Sequence, residues 1–290
     1  MPLGVVVGLL VVLLAAWFVA RDDNRSDAPG DSGGAEGVAH VHGLGVDPGD
    51  GALYVATHHG VFRLPADGGA ERVGPVQDTM GFTVVGAEHF LGSGHPDEAG
   101  LQEGLPPLLG LIESTDGADT WDAVSLSGEV DFHALAFAHD QVYGWDSTSG
   151  RFMVSADMQE WDTRSSLQVF SIAVDPAGPD RILATTPEGP SISTDGGRSW
   201  ETIAGAPRLA LVAWDAGSGL WGVDPDGAVS HAATVDGPWE QAGALPGSPQ
   251  ALLATGDALY VAAADDAGTT GIYESTDGGS AWQTRYRDGE

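Results

Sequence analysis

Histidine is unevenly distributed along this chain, and its spacing suggests a metal-binding site. Eight of the nine histidines lie between positions 40 and 139, and only His231 lies beyond them. Imidazole nitrogens bind copper, zinc, iron and nickel, and three or four of them make a site for any of these ions. We therefore expect a transition metal here, copper or zinc first. The alternative is that each histidine only hydrogen-bonds locally, as we expect for His89 and His139.

The candidate ligands occupy matching points of an internal repeat. His42 and His133 open equivalent apolar segments, and His58 and His95 come after the second apolar segment of their repeats. These positions predict convergence at one end of a central channel. The predicted ligands are His42, His58, His95 and His133, with His40, His59 and Asp97 as candidate additional ligands.

Carboxylates offer a second chemistry, glycoside hydrolysis, which requires a placed acid and a placed base. Asp131 and Asp146 are the candidate catalytic residues. They are weak candidates, because the chain contains 42 acidic residues and most such side chains simply face solvent. We expect a binding protein rather than an enzyme, and a glycoside hydrolase if it is an enzyme.

Composition excludes several classes of function. Eleven basic and 42 acidic residues give a formal net charge of −31, which repels nucleic acid. The chain contains no cysteine, so disulfides, thiolate catalysis and cysteine-ligated metal centres are impossible. A hydrophobic fraction of 42% is sufficient for a large folded core.

The first residues are expected to lie outside the fold. Residues 2–20 carry no charge and are mostly aliphatic, and such a helix is long enough to cross a bilayer. We predict a transmembrane anchor or a signal peptide at residues 1–20, then a flexible acidic linker at residues 21–37. Either type of leader places the main domain, residues 38–290, outside the cytoplasm, anchored to the membrane or secreted.

A repeat of about forty residues predicts the fold. Aspartates that open Asp-Gly turns or their eroded copies fall at 116, 157, 195, 236 and 277, each shortly before a tryptophan. A weaker copy surrounds Asp67, and an insertion at residues 94–107 explains its longer interval. Each unit reads as four short strands, which is typical of a propeller blade. We predict an all-β, six-bladed β-propeller of four-stranded blades, preceded by the N-terminal transmembrane or signal helix.

The chain resembles the BNR or Asp-box repeat proteins of the sialidase-like superfamily. The pattern Ser/Thr-x-Asp-x-Gly-x-Ser/Thr-Trp is complete at residues 193–200 and close at residues 114–121 and 275–282. The run at residues 40–64 is similar to a bacterial group labelled glycosyl hydrolase or exo-alpha-sialidase. The resemblance implies that the turn aspartates are scaffold, since every blade needs such a turn and an active site needs it once.

The resemblance also implies which residues a sialidase would require. Sialidases hold their substrate with three arginines, the first in a Phe/Tyr-Arg-Ile-Pro motif on an inner strand. Here Phe62-Arg63-Leu64-Pro65 is similar, but repeat alignment places it on the third strand of blade one, away from the channel. True sialidase activity is therefore not expected.

Three functions remain open. The first is a tethered binding module with a histidine-lined metal or ligand site. The second is a divergent exo-glycosidase acting on a glycan, and the third is an assembly scaffold with a protein partner, as other Asp-box propellers suggest. We also expect the strand near residues 38–46 to help close the ring by joining the last blade.

Overall fold

The computed structural model describes residues 37–256 and 258–289. The predicted leader at residues 1–20 and nearly all of the predicted linker, residues 21–36, lie outside the described residues. Within the described part, no helix is both long enough and apolar enough to span a bilayer.

The fold is an all-β six-bladed propeller, as predicted. The described residues form six four-stranded sheets, and in each the strands are antiparallel and run outward from the channel in chain order. The strands of blades one and two are β1 (Val41–Val46), β2 (Leu53–Thr57), β3 (Gly60–Leu64), β4 (Glu71–Val73), β5 (Gln77–Gly86), β6 (His89–Pro96), β7 (Leu111–Ser114) and β8 (Asp122–Ser125).

The next two blades follow the same order. Their strands are β9 (Phe132–Ala138), β10 (Gln141–Asp146), β11 (Arg151–Ser155), β12 (Asp162–Ser166), β13 (Ser171–Val174), β14 (Ile182–Thr186), β15 (Gly189–Ser193) and β16 (Glu201–Thr202).

The last two blades complete the ring. Their strands are β17 (Leu211–Asp215), β18 (Gly219–Val223), β19 (Ala228–Ala232), β20 (Glu240–Ala244), β21 (Ser248–Thr255), β22 (Ala258–Ala264), β23 (Thr270–Ser275) and β24 (Gln283–Arg287).

The predicted insertion lies between β6 and β7 of blade two. It contains one short helix, α1 (Glu98–Glu103), which begins after Asp97 and ends at Gly104 in the left-handed conformation. The Asp97 side chain accepts a hydrogen bond from the Gly100 N–H, as an N-cap does. The insertion therefore lies next to the end of β6, which carries His95.

The repeated turns between the third and fourth strands are built from serine and aspartate. In blade four, the Ser193 hydroxyl donates to Asp195, and Asp195 accepts from the N–H and hydroxyl of Ser199. The hydrogen bonds from Ser199 hold the pKa of Asp195 at about 2. Asp116 and Asp277 accept bonds in the same pattern. These aspartates stabilise local backbone, as expected of scaffold residues.

The tryptophan of each turn packs between blades. Each one directly precedes the fourth strand instead of lying within it. The Trp161 indole N–H donates to Ser125 of blade two, and the Trp200 indole N–H donates to Ser165 of blade three, each at 3.0 Å. Trp161 and Trp200 thus attach blades three and four to the blade before each, by packing and by a hydrogen bond.

The ring closes differently from our expectation. The segment at residues 41–46 is the innermost strand of blade one, and blade six has four strands of its own, so no strand is exchanged. Closure depends on packing, because Val38 and Val41 share an apolar cluster with Ile272 and Tyr286. The prediction failed because residues after Trp282 suffice for a fourth strand, β24.

Candidate functional site

The predicted histidines lie where the inner strands of blades one to three begin. We call this end of the channel the mouth. His42 lies on β1, His133 on β9 and His95 near the end of β6, while His58 lies in the turn after β2. Because β2 and β6 run antiparallel to β1 and β5, their ends return to the mouth.

The first cluster comprises His42, His58 and Asp78. His58 Nδ1 lies 2.9 Å from Asp78 Oδ1, and His42 Nε2 lies 3.4 Å from His58 Nδ1. The His42 and Asp78 atoms are 3.7 Å apart. Three potential ligand atoms, of types that zinc and copper bind, therefore lie close enough to one another to coordinate a single metal ion.

The second cluster comprises His95, Asp131 and His133. Asp131 Oδ2 lies 2.6 Å from His133 Nε2 and 3.3 Å from His95 Nε2. The Ser147 hydroxyl donates to the same oxygen at 3.0 Å. The Asp131 side chain is only 4% exposed, whereas both imidazoles are more than a third exposed to the mouth.

The other oxygen of Asp131 is the clearest anomaly of the site. Among the described residues, Asp131 Oδ1 is buried and has no hydrogen-bond partner. Burying a carboxylate oxygen without a partner costs free energy, and a positive charge bound beside it would offset that cost. Burial opposes ionisation of Asp131, yet hydrogen bonds from His133 and His95 outweigh it and hold its pKa far below the ordinary value.

The hydrogen bond of His95 Nδ1 leaves Nε2 as the ring nitrogen that faces Asp131. His95 Nδ1 lies 2.9 Å from the carbonyl oxygen of Pro107, which can only accept, so Nδ1 carries a proton. In the neutral ring, Nε2 then directs a lone pair at Asp131 Oδ2. A proton or a metal ion between them relieves this opposition, and the hydrogen bond to Asp131 accordingly raises the pKa of His95 to about 9. Metal-binding histidines commonly have such a backbone-anchored ring.

The two clusters lie on one continuous surface. Asp78 of the first cluster and His95 of the second are direct cross-strand partners on β5 and β6, so their side chains leave the same face. Burial, then the charges of His40, His58 and His133, lower the pKa of His42 well below its ordinary value. A neutral imidazole in a group of histidines is the form that binds a metal.

The remaining predicted residues take other places. The His40 ring stacks on His58 with ring centres 5.4 Å apart and lies 3.3 Å from the Gln250 side-chain amide, so it borders the first cluster. His59 follows His58 in the turn and belongs to neither cluster. Asp97 caps α1 and lies outside both clusters.

Asp146 supports the second cluster without facing the channel. It is fully buried, and it accepts hydrogen bonds from the N–H of Asp131 and from the side chains of Thr148, Ser149 and Arg151. Both of its oxygens are thus occupied, and its visible contribution is to position the backbone of Asp131.

Sequence reasoning missed Asp78. A signal was present, because Asp78 in blade two matches His40 in blade one and Asp131 in blade three. Each lies two residues before the residue that is skipped in the pairing of the inner strand with the second strand.

The arginines that the structure describes are not gathered at the mouth. Arg63 lies on β3, as predicted, and is paired with Asp50. Arg151, Arg181 and Arg285 pair with carboxylates of their own blades. Neither described cluster includes an arginine as a neighbour within ion-pair distance, in contrast to the three-arginine site of a sialidase.

Comparison with known proteins finds likeness in structure alone. No protein-family model matches the chain, and no curated protein matches it. The GH74 xyloglucanase from Xanthomonas campestris is similar with a TM-score of 0.59 at 17% identity, over 88% of this chain and 46% of that one. This chain therefore spans less than half of that enzyme's length.

Two other solved structures are similar over most of their own length. A gluconolactonase from Xanthomonas campestris, XC5397, has a TM-score of 0.61 at 13% identity, over 78% of this chain and 83% of that one. YCF48 from Cyanidioschyzon merolae has a TM-score of 0.54 at 15% identity, over 87% and 86%. At these identities the likeness establishes the propeller fold alone. We therefore infer function from the residues at the channel mouth.

Proposed function

We propose that this protein is an extracytoplasmic binding module whose channel mouth holds a transition metal, copper or zinc. The observation that carries the proposal is the Asp131 carboxylate, whose Oδ2 lies against His95 and His133 and whose buried Oδ1 has no partner among the described residues. A cation bound by His95, His133 and Asp131 would compensate the charge of this buried carboxylate.

The surroundings of the clusters support this function. The first cluster, His42, His58 and Asp78, lies on the same face and offers further metal ligands. The net charge of −31 favours accumulation of cations near the surface. The uncharged run at residues 2–20 is the basis for placing the module at or outside the membrane.

Membership of the BNR or Asp-box group belongs to the same proposal. It is supported by the shared serine-to-aspartate hydrogen bonds in the turns at residues 114–121, 193–200 and 275–282. The aspartates of these turns act as scaffold in this proposal and take no part in metal binding.

Elemental mass spectrometry of the full chain, purified without a histidine tag and after incubation with Cu or Zn, tests the proposal. We expect about one equivalent of tightly bound metal or more. The double variant His42→Ala/His133→Ala should lose it, whereas His89→Ala/His231→Ala removes two histidines outside both clusters and should retain it. Wild-type stoichiometry in the first variant, or no metal in the wild type, contradicts the proposal.

A sugar-processing enzyme is the second candidate, since the structural neighbours include a xyloglucanase and a gluconolactonase. Two working carboxylates are required for glycoside hydrolysis, and Asp146 is fully buried with both oxygens already hydrogen-bonded. Turnover of aryl-glycosides that Asp131→Asn abolishes would favour this candidate. A protein that co-purifies with a metal-free, inactive chain would favour an assembly role, since YCF48 is a structural neighbour also solved with a D1 peptide.

A further inference from the structure

Four of the six inner strands share one irregularity at the mouth. In β1, β5, β9 and β21, a single residue is skipped in the register with the second strand, which is a β-bulge. The inner strands β13 and β17 pair without such a skip. The skipped residues, in ring order from blade six to blade three, are Gln250, His42, Met80 and His133.

Each of these bulged residues is more exposed than the residue before it. The residue before each bulge is buried, whereas the strand after it is largely half-buried. The four bulged residues themselves are half-buried or exposed. β-Bulges often re-aim a side chain beside a functional site. Two of the four bulged residues, His42 and His133, are histidines of the two clusters.

Met80 lies between His42 and His133 along the channel wall. The inner strands of blades one and two approach so closely that a Cβ on Gly43 would lie 2.9 Å from Phe82 Cβ. A Cβ on Gly81 would lie 2.4 Å from the carbonyl oxygen of Phe132. Gly43, Gly81 and Phe132 are chain neighbours of the three bulged residues, so these three occupy adjacent positions at one level of the wall.

A methionine in this position narrows the choice of metal. The thioether is a soft, neutral ligand that suits Cu(I), while zinc sites use imidazole, thiolate and carboxylate. An accessible methionine between two histidines is also unusual for a residue that normally fills apolar cores. Met153, by comparison, is buried within blade three.

We propose that the Met80 thioether is a metal ligand at the mouth together with His42 and His133, and that the bound ion is copper, with Cu(I) preferred. This inference rests on the proposed metal-binding function and adds a ligand and an oxidation state to it. The combination of soft thioether and imidazole allows the site to keep copper through reduction.

Sulfur coordination is directly testable because the chain has no cysteine and only four methionines. X-ray absorption of the full chain loaded with Cu(I) should show a copper–sulfur shell, which can come only from methionine. The Met80→Leu variant keeps the side-chain volume and should lose that shell. Met153→Leu is the matched control in the core and should retain it.

Affinity provides the second readout, by anaerobic competition with a Cu(I) chelator and separately by Zn(II) competition. We expect Met80→Leu to weaken Cu(I) binding by about ten-fold or more and to leave Zn(II) binding within about two-fold. If the wild type and Met80→Leu bind Cu(I) with equal affinity and neither shows a sulfur shell, the role of Met80 is overturned and the proposed metal-binding function stands. Failure of the wild type to bind either ion overturns the metal function and this inference together.

Discussion

Single side chains decide how well consecutive blades are joined. Ser165 accepts the Trp200 indole N–H and donates to the Gly197 carbonyl, which links blade three to blade four. The indole N–H groups of Trp239 and Trp282 are buried without a partner among the described residues. For Trp282 the reason is local, because Gly243 occupies the position of Ser165 and a Cβ there would lie 1.9 Å from the Gly279 carbonyl.

We predict that Ser165→Ala lowers the free energy of unfolding by about 1–2 kcal/mol, because a buried indole N–H and a carbonyl lose their partner. Urea unfolding monitored by tryptophan fluorescence measures the change. Ser166→Ala, at the exposed neighbouring position, should stay within about 0.5 kcal/mol of the wild type. An equal effect of the two substitutions would show that the Ser165 bonds contribute nothing.

At the residue scale, the proposed metal site depends most on Asp131. The Asp131→Asn substitution keeps the size of the side chain but removes the charge that balances a bound cation. We predict that it weakens copper or zinc binding by about ten-fold or more while the protein remains folded. Metal competition measures this, and Asp97→Asn, outside both clusters, should retain wild-type affinity.

At the scale of elements, the inner strands combine close packing with irregular pairing. Small residues follow each bulge, namely Gly43, Gly81, Ala134 and Ala251. At Gly43 and Gly81, the lack of a side chain allows the neighbouring inner strand to approach closely. Blades four and five lack the bulge, so the proposed metal-binding residues lie on one side of the mouth.

We predict that Gly81→Ala destabilises the fold by about 1–3 kcal/mol, since the new Cβ would lie 2.4 Å from the Phe132 carbonyl oxygen. Gly178→Ala is the control, because nothing lies within 4 Å of a Cβ at that position. Thermal unfolding of the two variants should separate them clearly. A Gly81→Ala variant as stable as Gly178→Ala would show that the inner strands can move apart without cost.

For the whole molecule, ring closure relies on side chains and termini instead of a shared strand. The Asp288 carboxylate lies against Gly37, where a Cβ would be 2.2 Å from Oδ1, and accepts a hydrogen bond from Tyr286. Burial of Asp288 raises the pKa of its carboxyl group. In a chain of net charge −31, a carboxylate held at the closure of the ring works against folding at neutral pH.

This leads to a pH-dependent prediction. A carboxyl group whose pKa is raised by folding binds its proton more tightly in the folded state, so its ionised form opposes folding at higher pH. We expect Asp288→Asn to raise Tm at about pH 7. The gain should shrink as the pH falls through the raised pKa of Asp288 and be gone below about pH 4, where Asp288 is protonated in both states. Asp266→Asn, on an exposed turn, removes the same charge as a control. An equal rise in Tm for both would mean that only net charge matters.

Much of the fold was readable from sequence because propeller signals are local. Each turn depends on a serine, an aspartate and a glycine within a few residues, and the blade repeat multiplies that signal. The same repeat predicted that His42 and His133 lie at equivalent points of their blades. The longer interval between the first two repeats likewise predicted the insertion in blade two, which contains α1.

Tertiary structure alone decided the arrangement of the mouth and the closure of the ring. Strand register and the approach of separate blades determine the pairing of Asp78 with His95 and the row of bulges. They also leave one buried oxygen of Asp131 without a partner among the described residues. Such relations join residues tens of positions apart, so no short pattern encodes them. Likewise Asp97 became a helix cap and blade six completed its own sheet, because local hydrogen bonds were available to both.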